Sequence, residues 1–335
     1  MSPAIPPSRT ETIAEPTHRQ HAPGTRVRAV NYDNELERHA IALLEVRAFS
    51  RNKIQRWFGG VSDPGIPRPP TTTAPSAVAQ LHHDTRNLYY FFDGFVSAIC
   101  LTGSRATVVV EPAPAPTDHA EPDFLVVRRP NDTLETQHSA VRGEWERIRA
   151  ISLWSAPGSE FASISTMIRA KQYLTLTGGA WLPWNWTGWG FGGLYRTVVL
   201  TKSRFEAHHK AACAARSIAH HKCWTLQNLG TDPSASGKGY GLLLLRDGMS
   251  HLDALEPPAP CLLEVSEPRP KIMYSKAGWQ ETSQLCVGQG IVDDDGFAPD
   301  PRMSKPRIAS GFSSWTMIRL PSGTGVPSSD DCSTL

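Results

Sequence analysis

A glycine-rich turn between a strand-like run and an apolar, helix-like run constrains this chain more than any other feature. Leu226 to Leu229 read as the end of a strand. Gly230-Thr231-Asp232-Pro233-Ser234-Ala235 follow, then Ser236-Gly237-Lys238-Gly239-Tyr240-Gly241 and four leucines, Leu242 to Leu245. This order builds an anion site from backbone. The first amides of a helix have no intrahelical acceptors, and the helix dipole places about half a positive charge there. Glycines let that backbone approach a bulky group and take positive φ where needed. Lys238 adds a full charge, so the ligand that suits the turn is a phosphate or diphosphate.

Three common phosphate motifs do not fit. A P-loop needs a Ser or Thr after Gly-Lys, and here Gly239 follows Lys238. The dinucleotide fingerprint needs Gly-x-Gly-x-x-Gly early in a βαβ unit, whereas this turn is Gly-x-Gly-x-Gly and lies far along the chain. The kinase loop lacks its companion lysine strand and His-Arg-Asp loop.

The surrounding order is more telling. A helix over about 240–255 leads through a proline turn, Glu256 to Pro260, into a buried-looking strand, Cys261 to Ser266. A short helix around Lys271 to Lys276 ends at Ala277-Gly278-Trp279, where Gly278 suits a C-cap. Strands over Thr282–Val287 and Ser314–Leu320 complete the region.

Taken together, residues 220–320 resemble the acyl-coenzyme A core of the GNAT N-acetyltransferase superfamily. The family turn, Arg/Gln-x-x-Gly-x-Gly/Ala, corresponds to Ser236 through Gly241, with serine where the family has Arg or Gln. The family Tyr-x-Lys-x-Gly-Phe segment corresponds to Tyr274, Lys276, Gly278 and Trp279, with Trp for Phe. The resemblance implies an α/β (α+β) chain, a mixed central sheet flanked by helices in a GNAT-like acyl-CoA N-acyltransferase fold. It implies acetyl-CoA as cosubstrate, splayed between the strand ending near Leu229 and the strand at 261–266. Leu229, Gly230, Ser236, Gly237, Lys238, Gly239, Tyr240 and Gly241 are the expected coenzyme-binding positions. Tyr274 corresponds to the family tyrosine near the coenzyme sulfur. The implied activity is transfer of an acetyl group to a small-molecule or peptide amine. A coenzyme-binding protein without transfer chemistry, a transferase with a non-amine acceptor or longer acyl donor, and an interaction scaffold whose turn binds nothing are the alternatives.

For the general base, Glu264 stands in an apolar strand, where desolvation would raise a carboxylate pKa toward useful values. Glu267, His220 and His221 are the other candidates. Adjacent histidines on a helix point in different directions, so His82-His83, His208-His209 and His220-His221 are poor chelates and no metal is expected. Asp293-Asp294-Asp295-Gly296 lacks calcium-loop spacing and reads as a solvated hairpin loop.

The N-terminal half is read from periodicity. Residues 1–24, rich in Pro, Ser, Thr and His, read as a tail, and 25–325 as one domain. Its part 25–200 is the acceptor side and 201–325 the coenzyme core. Arg26–Val30 alternates like a strand, Asn34–Phe49 has helical spacing, and 76–101 reads as one long buried helix. Strand-like runs cover 106–110, 124–127 and 148–154, and 197–221 reads as helical. Trp181, Trp184, Trp186 and Trp189 crowd one glycine- and proline-broken stretch. They read as an aromatic-stapled loop or as a wall of the acceptor pocket, with Trp184 and Trp186 as the substrate candidates.

Composition bounds the rest. With 335 residues, 40% hydrophobic, there is enough apolar matter for a sizeable core. A formal net charge of +2 gives no argument for nucleic-acid or membrane partners. Six scattered cysteines show neither metal nor disulfide spacing, and no apolar run approaches a signal peptide or membrane span. An intracellular, cytoplasmic protein is the expectation.

Overall fold

In the computed structural model the described residues are 21–62, 75–115, 125–128, 145–159, 163–179, 188–299 and 308–321. They form one mixed sheet of eight strands: β1 (Arg26–Ala29), β2 (Arg105–Ala113), β3 (Val126–Arg128), β4 (Trp145–Ser155), β5 (Trp224–Thr231), β6 (Cys261–Val265), β7 (Gln280–Val287) and β8 (Phe312–Arg319). The order across the sheet is β1-β2-β4-β5-β6-β8-β7, with β3 paired to β4. Every pairing is antiparallel except β5 with β6.

Strand alternation distributes the core to both faces. Val108 and Val110 on β2 and Ile151 and Leu153 on β4 pack with Ala40, Ile41 and Leu44 of helix α1 (Glu35–Phe49). Val96 and Ile99 of helix α3 (His83–Leu101) join the same cluster. Val109 and Ala150, one residue out of phase, pack with Leu244 of helix α8 (Tyr240–Asp253). Trp154 and Leu226 pack with Leu245 and Leu252 of that helix. Gly248 sets its depth, because a Cβ there would collide with the Trp154 indole.

Local signals explain where the elements start. Asn34 Oδ1 accepts the Leu36 and Glu37 amides and opens α1. The long helix expected from residue 76 begins at His83 instead, and Pro75–Gln80 is a separate 3₁₀ turn. The helix expected over 197–221 is a π-helical segment, Tyr195–Lys202, running into α7 (Ser203–Ala214), with a short turn at His220–Lys222. Four short helices were not legible: α2 (Lys53–Gly59), α4 (Ile164–Arg169), α5 (Tyr173–Thr177) and α6 (Gly190–Leu194).

The remaining helix, α9 (Pro268–Lys276), ends as expected, with Gly278 at φ 88° just beyond it. The acidic loop between β7 and β8 is not simply solvated. Asp293 is buried, and its Oδ1 accepts the amides of Asp295 and Phe297. Among the described residues no helix is long and apolar enough to cross a membrane.

Candidate functional site

The parallel pair β5 and β6 holds together over only three residue pairs, Trp224 with Cys261 through Leu226 with Leu263. Beyond them β5 runs on to Thr231 and β6 to Val265 with no pairing between them. On its other side β5 is irregular: Leu153 faces Asn228 but Trp154 faces Leu226, so Gln227 is an extra residue. Such a bulge bends the strand that carries it. The two strands therefore part, and a cleft of about 1160 Å³ opens where they do, lined by Gln227 to Leu229 on one side and Leu263 to Glu267 on the other.

Past the cleft, β5 leads into the glycine turn. Gly237 and Gly239 both have positive φ, 81° and 89°, and Gly239 is the N-cap of α8 with no side-chain cap bond. Among the described residues the amides of Tyr240, Gly241 and Leu242 have no acceptor, while Leu243 is the first to bond back, to the Gly239 carbonyl. A Cβ on Gly239 would meet only the His21 ring, at 3.6 Å. Lys238 is exposed beside these amides. The turn is anchored from below by Asp232, which is fully buried. Arg47 Nε on α1 donates to its Oδ2 at 2.6 Å, and the Ser234 amide donates to its Oδ1 at 2.9 Å. Burial alone would raise the Asp232 pKa; the Arg47 and Ser234 bonds outweigh it and hold the carboxyl below its ordinary value. A rigid, amide-lined, cationic turn that a glycine keeps open fits a diphosphate.

A titratable cluster lies in the cleft itself. Glu264 on β6 is held by two hydroxyls of β8: Thr316 Oγ1 donates to Oε1 at 2.5 Å and Ser314 Oγ to Oε2 at 3.2 Å. His209 Nε2, on α7, stands 2.9 Å from Glu264 Oε1, an oblique approach that leaves this buried nitrogen without a hydrogen bond. The His220 ring is 6.0 Å from that of His209, and burial lowers its pKa. Tyr274 on α9 lines the same cleft, is 7% exposed and packs edge-on against Trp279. Burial raises its pKa, so the phenol stays protonated. The walls are aromatic: Phe49, Phe58, Phe91, Phe95, Tyr173 and Trp189 all contribute.

A splayed parallel pair, with the strand that leaves it entering an amide-lined helix start, decides the architecture. It is a GNAT-like fold. No family model matches the sequence, and no curated protein matches it either. Among solved structures, the chain is similar to a histone acetyltransferase and related acetyltransferase from Corynebacterium glutamicum. That likeness has 13% identity and a TM-score of 0.40, and covers 91% of this chain and 99% of the other. A polyamine N-acetyltransferase from Drosophila melanogaster gives 13% identity and a TM-score of 0.40, covering 88% and 100%. The ribosomal-protein-S18-alanine N-acetyltransferase of Escherichia coli gives 10% and 0.34, covering 90% and 97%. These are likenesses of fold at low identity.

Set against the sequence reading, the GNAT-like core brings Leu229, Glu264 and Tyr274 to one cleft, and with them Glu267 and His220. Gly230 lies between the cleft and the turn, where a Cβ would press on Phe49 at 3.1 Å. The Tyr240 side chain is not available to a ligand: it is 1% exposed, and its hydroxyl donates to Glu111. What Tyr240 leaves for a ligand is its amide, which has no acceptor among the described residues. Glu264 does not stand alone in an apolar strand but in a polar cage of Thr316, Ser314 and His209. Trp184 and Trp186 lie outside the described residues, as does Trp181, while Trp189 lines the cleft. Residues 21–24, read as the end of the tail, are described, and the His21 ring stacks on Tyr240 at 5.2 Å. Sequence reasoning missed His209, Asp232 with Arg47, and Glu45, a fully buried acid on α1 that accepts from Asn228 Nδ2 at 3.0 Å. The residues of each pair are far apart in sequence, so no local motif could have joined them.

Proposed function

We propose that the protein is an acyl-coenzyme A-dependent N-acyltransferase, with acetyl-CoA as donor and an amine on an apolar or aromatic body as acceptor. The observation that carries this reading is the conjunction of the splayed pair β5 and β6 with the unsatisfied amides of 240–242 at the end of the same strand. In this reading the amides and Lys238 hold the diphosphate, and the free edges of β5 and β6 receive the pantetheine arm. Bound acetyl-CoA supplies an activated thioester carbonyl.

The chain's own residues do the rest. The cleft holds donor and acceptor together, which can remove several kcal/mol of barrier. Its aromatic walls exclude water and accept an apolar body. Tyr274, kept protonated by burial, donates toward the departing sulfur. The polar cluster around Glu264 receives the proton that the amine must lose.

Thiol release from acetyl-CoA, followed against a panel of primary amines, tests the proposal. Release should require an amine and be faster with 2-phenylethylamine than with spermidine, which has no apolar body to fill the walls. Release with none of the amines, despite coenzyme binding, would make the protein a binder without transfer chemistry.

A further inference from the structure

We propose that His209, supplied by the long connection between β4 and β5, is the general base of this site, and that Glu264 is a positioning residue that acts through it. The inference rests on the acyltransferase reading above. Strands β4 and β5 are antiparallel neighbours, which a two-residue turn can join. Here residues 156–223 intervene, and they bring α7 over the cleft. Adjacent residues on a helix diverge, and α7 uses both directions. His208 Nδ1 bonds Ser283 Oγ on β7 at 2.9 Å, while His209 turns to β6 and the cleft.

The atoms around His209 assign its roles. Thr316 and Ser314 occupy the two oxygens of Glu264 and fix the carboxylate, and Nε2 of His209 is buried 2.9 Å from Oε1. The approach is too oblique for a hydrogen bond, but a carboxylate this close that only accepts favours, by charge, the tautomer with hydrogen on Nε2. The lone pair is then on Nδ1, which has no partner among the described residues, in a side chain that lines the cleft. That is the arrangement of an oriented imidazole base with a carboxylate behind it. His220 makes no ion pair with Glu264, and the carboxylate that acts on it is Glu206, through charge alone.

In the transfer step Nδ1 takes the proton that the amine nitrogen loses as its bond to the acyl carbon forms. The carbon–sulfur bond breaks, its electron pair leaves with sulfur, and sulfur takes the Tyr274 hydroxyl proton. Solvent then removes the proton from His209 and returns one to Tyr274, so amine and acyl-CoA give amide and free thiol.

The test is thiol release from acetyl-CoA with 2-phenylethylamine, with coenzyme A affinity measured on each variant as the control for folding. His209→Ala should bind coenzyme A within about twofold of wild type and lose about 100-fold or more in kcat, the usual worth of a positioned base. Imidazole added to the buffer should restore part of that loss, which a structural role for the ring would not allow. Glu264→Gln should lose about tenfold in kcat, and the double variant should be no slower than His209→Ala alone, because residues that act as a unit are not additive. Unchanged kcat in His209→Ala, no imidazole rescue, or fully multiplicative losses would overturn the dyad and leave the acyltransferase reading standing. A wild-type protein that binds no coenzyme A, or releases no thiol, would overturn both. If His209→Ala fails the coenzyme control, His209→Gln, which keeps a polar group of similar size, takes its place under the same criteria.

Discussion

Burial acts on both Tyr274 and Glu45, and only Tyr274 faces the cleft. In the proposed transfer the Tyr274 hydroxyl acts on the leaving sulfur, so its loss would belong to the transition state. Tyr274→Phe should lower kcat about tenfold or more while the KM for acetyl-CoA stays within about twofold. Equal turnover in both proteins would return Tyr274 to packing against Trp279. Glu45 is fully buried, and burial pushes its pKa up to about 8, with the Asn228 bond opposing. A folded-state pKa above the unfolded value means that the stabilisation is complete below about pH 4.5 and is lost as pH rises toward 8. Wild-type melting temperature should therefore fall between pH 5 and 8 more steeply than that of Glu45→Gln, at roughly 2–4 °C per kcal/mol for a domain this large. Parallel curves would refute that assignment. At this scale the sequence shows residue types and hides partners. Glu264 meets Thr316 across 52 positions, and Arg47 meets Asp232 across 185. The tertiary fold creates both contacts.

Elements were legible where a local rule sets them. Asn34 caps α1, Gly239 opens α8 and Gly278 follows α9, each at the place its chemistry requires. The strand β6 was legible as a short apolar run, and β7, expected from Thr282 to Val287, begins two residues earlier at Gln280. Short elements were not: α2 spans seven residues and α5 five, too few for a helical period to show. The π-helical segment 195–202 could not be foreseen either, since its apolar residues fit an ordinary helix. Gly239→Val places a branched side chain at φ 89° on the open side of the amides, so coenzyme A affinity should fall tenfold or more. Lys238→Ala removes only an exposed, screened charge and should cost about two- to threefold. A calorimetric titration of both variants decides it, and the reverse order of effects would refute a backbone cradle.

At the scale of the whole molecule, the mixed sheet and its one parallel pair follow from the strand–turn–helix–strand order that the sequence displays. The shape of the cleft does not, because much of its wall comes from the connection 156–223, whose composition is aromatic and whose elements are short. That wall, with His209 in it, is the part of the cleft that the connection adds to a GNAT-like frame. The proposed function requires that the splayed sheet and the glycine turn form one coenzyme site. Calorimetric titration of the full chain with coenzyme A, paired with thermal melting, measures this directly. The expected result is a single site of about micromolar affinity and a melting temperature that rises with coenzyme concentration, by about 2.7 kcal/mol of added stability at a hundredfold excess over Kd. No heat of binding and no shift in melting at millimolar coenzyme A would contradict it.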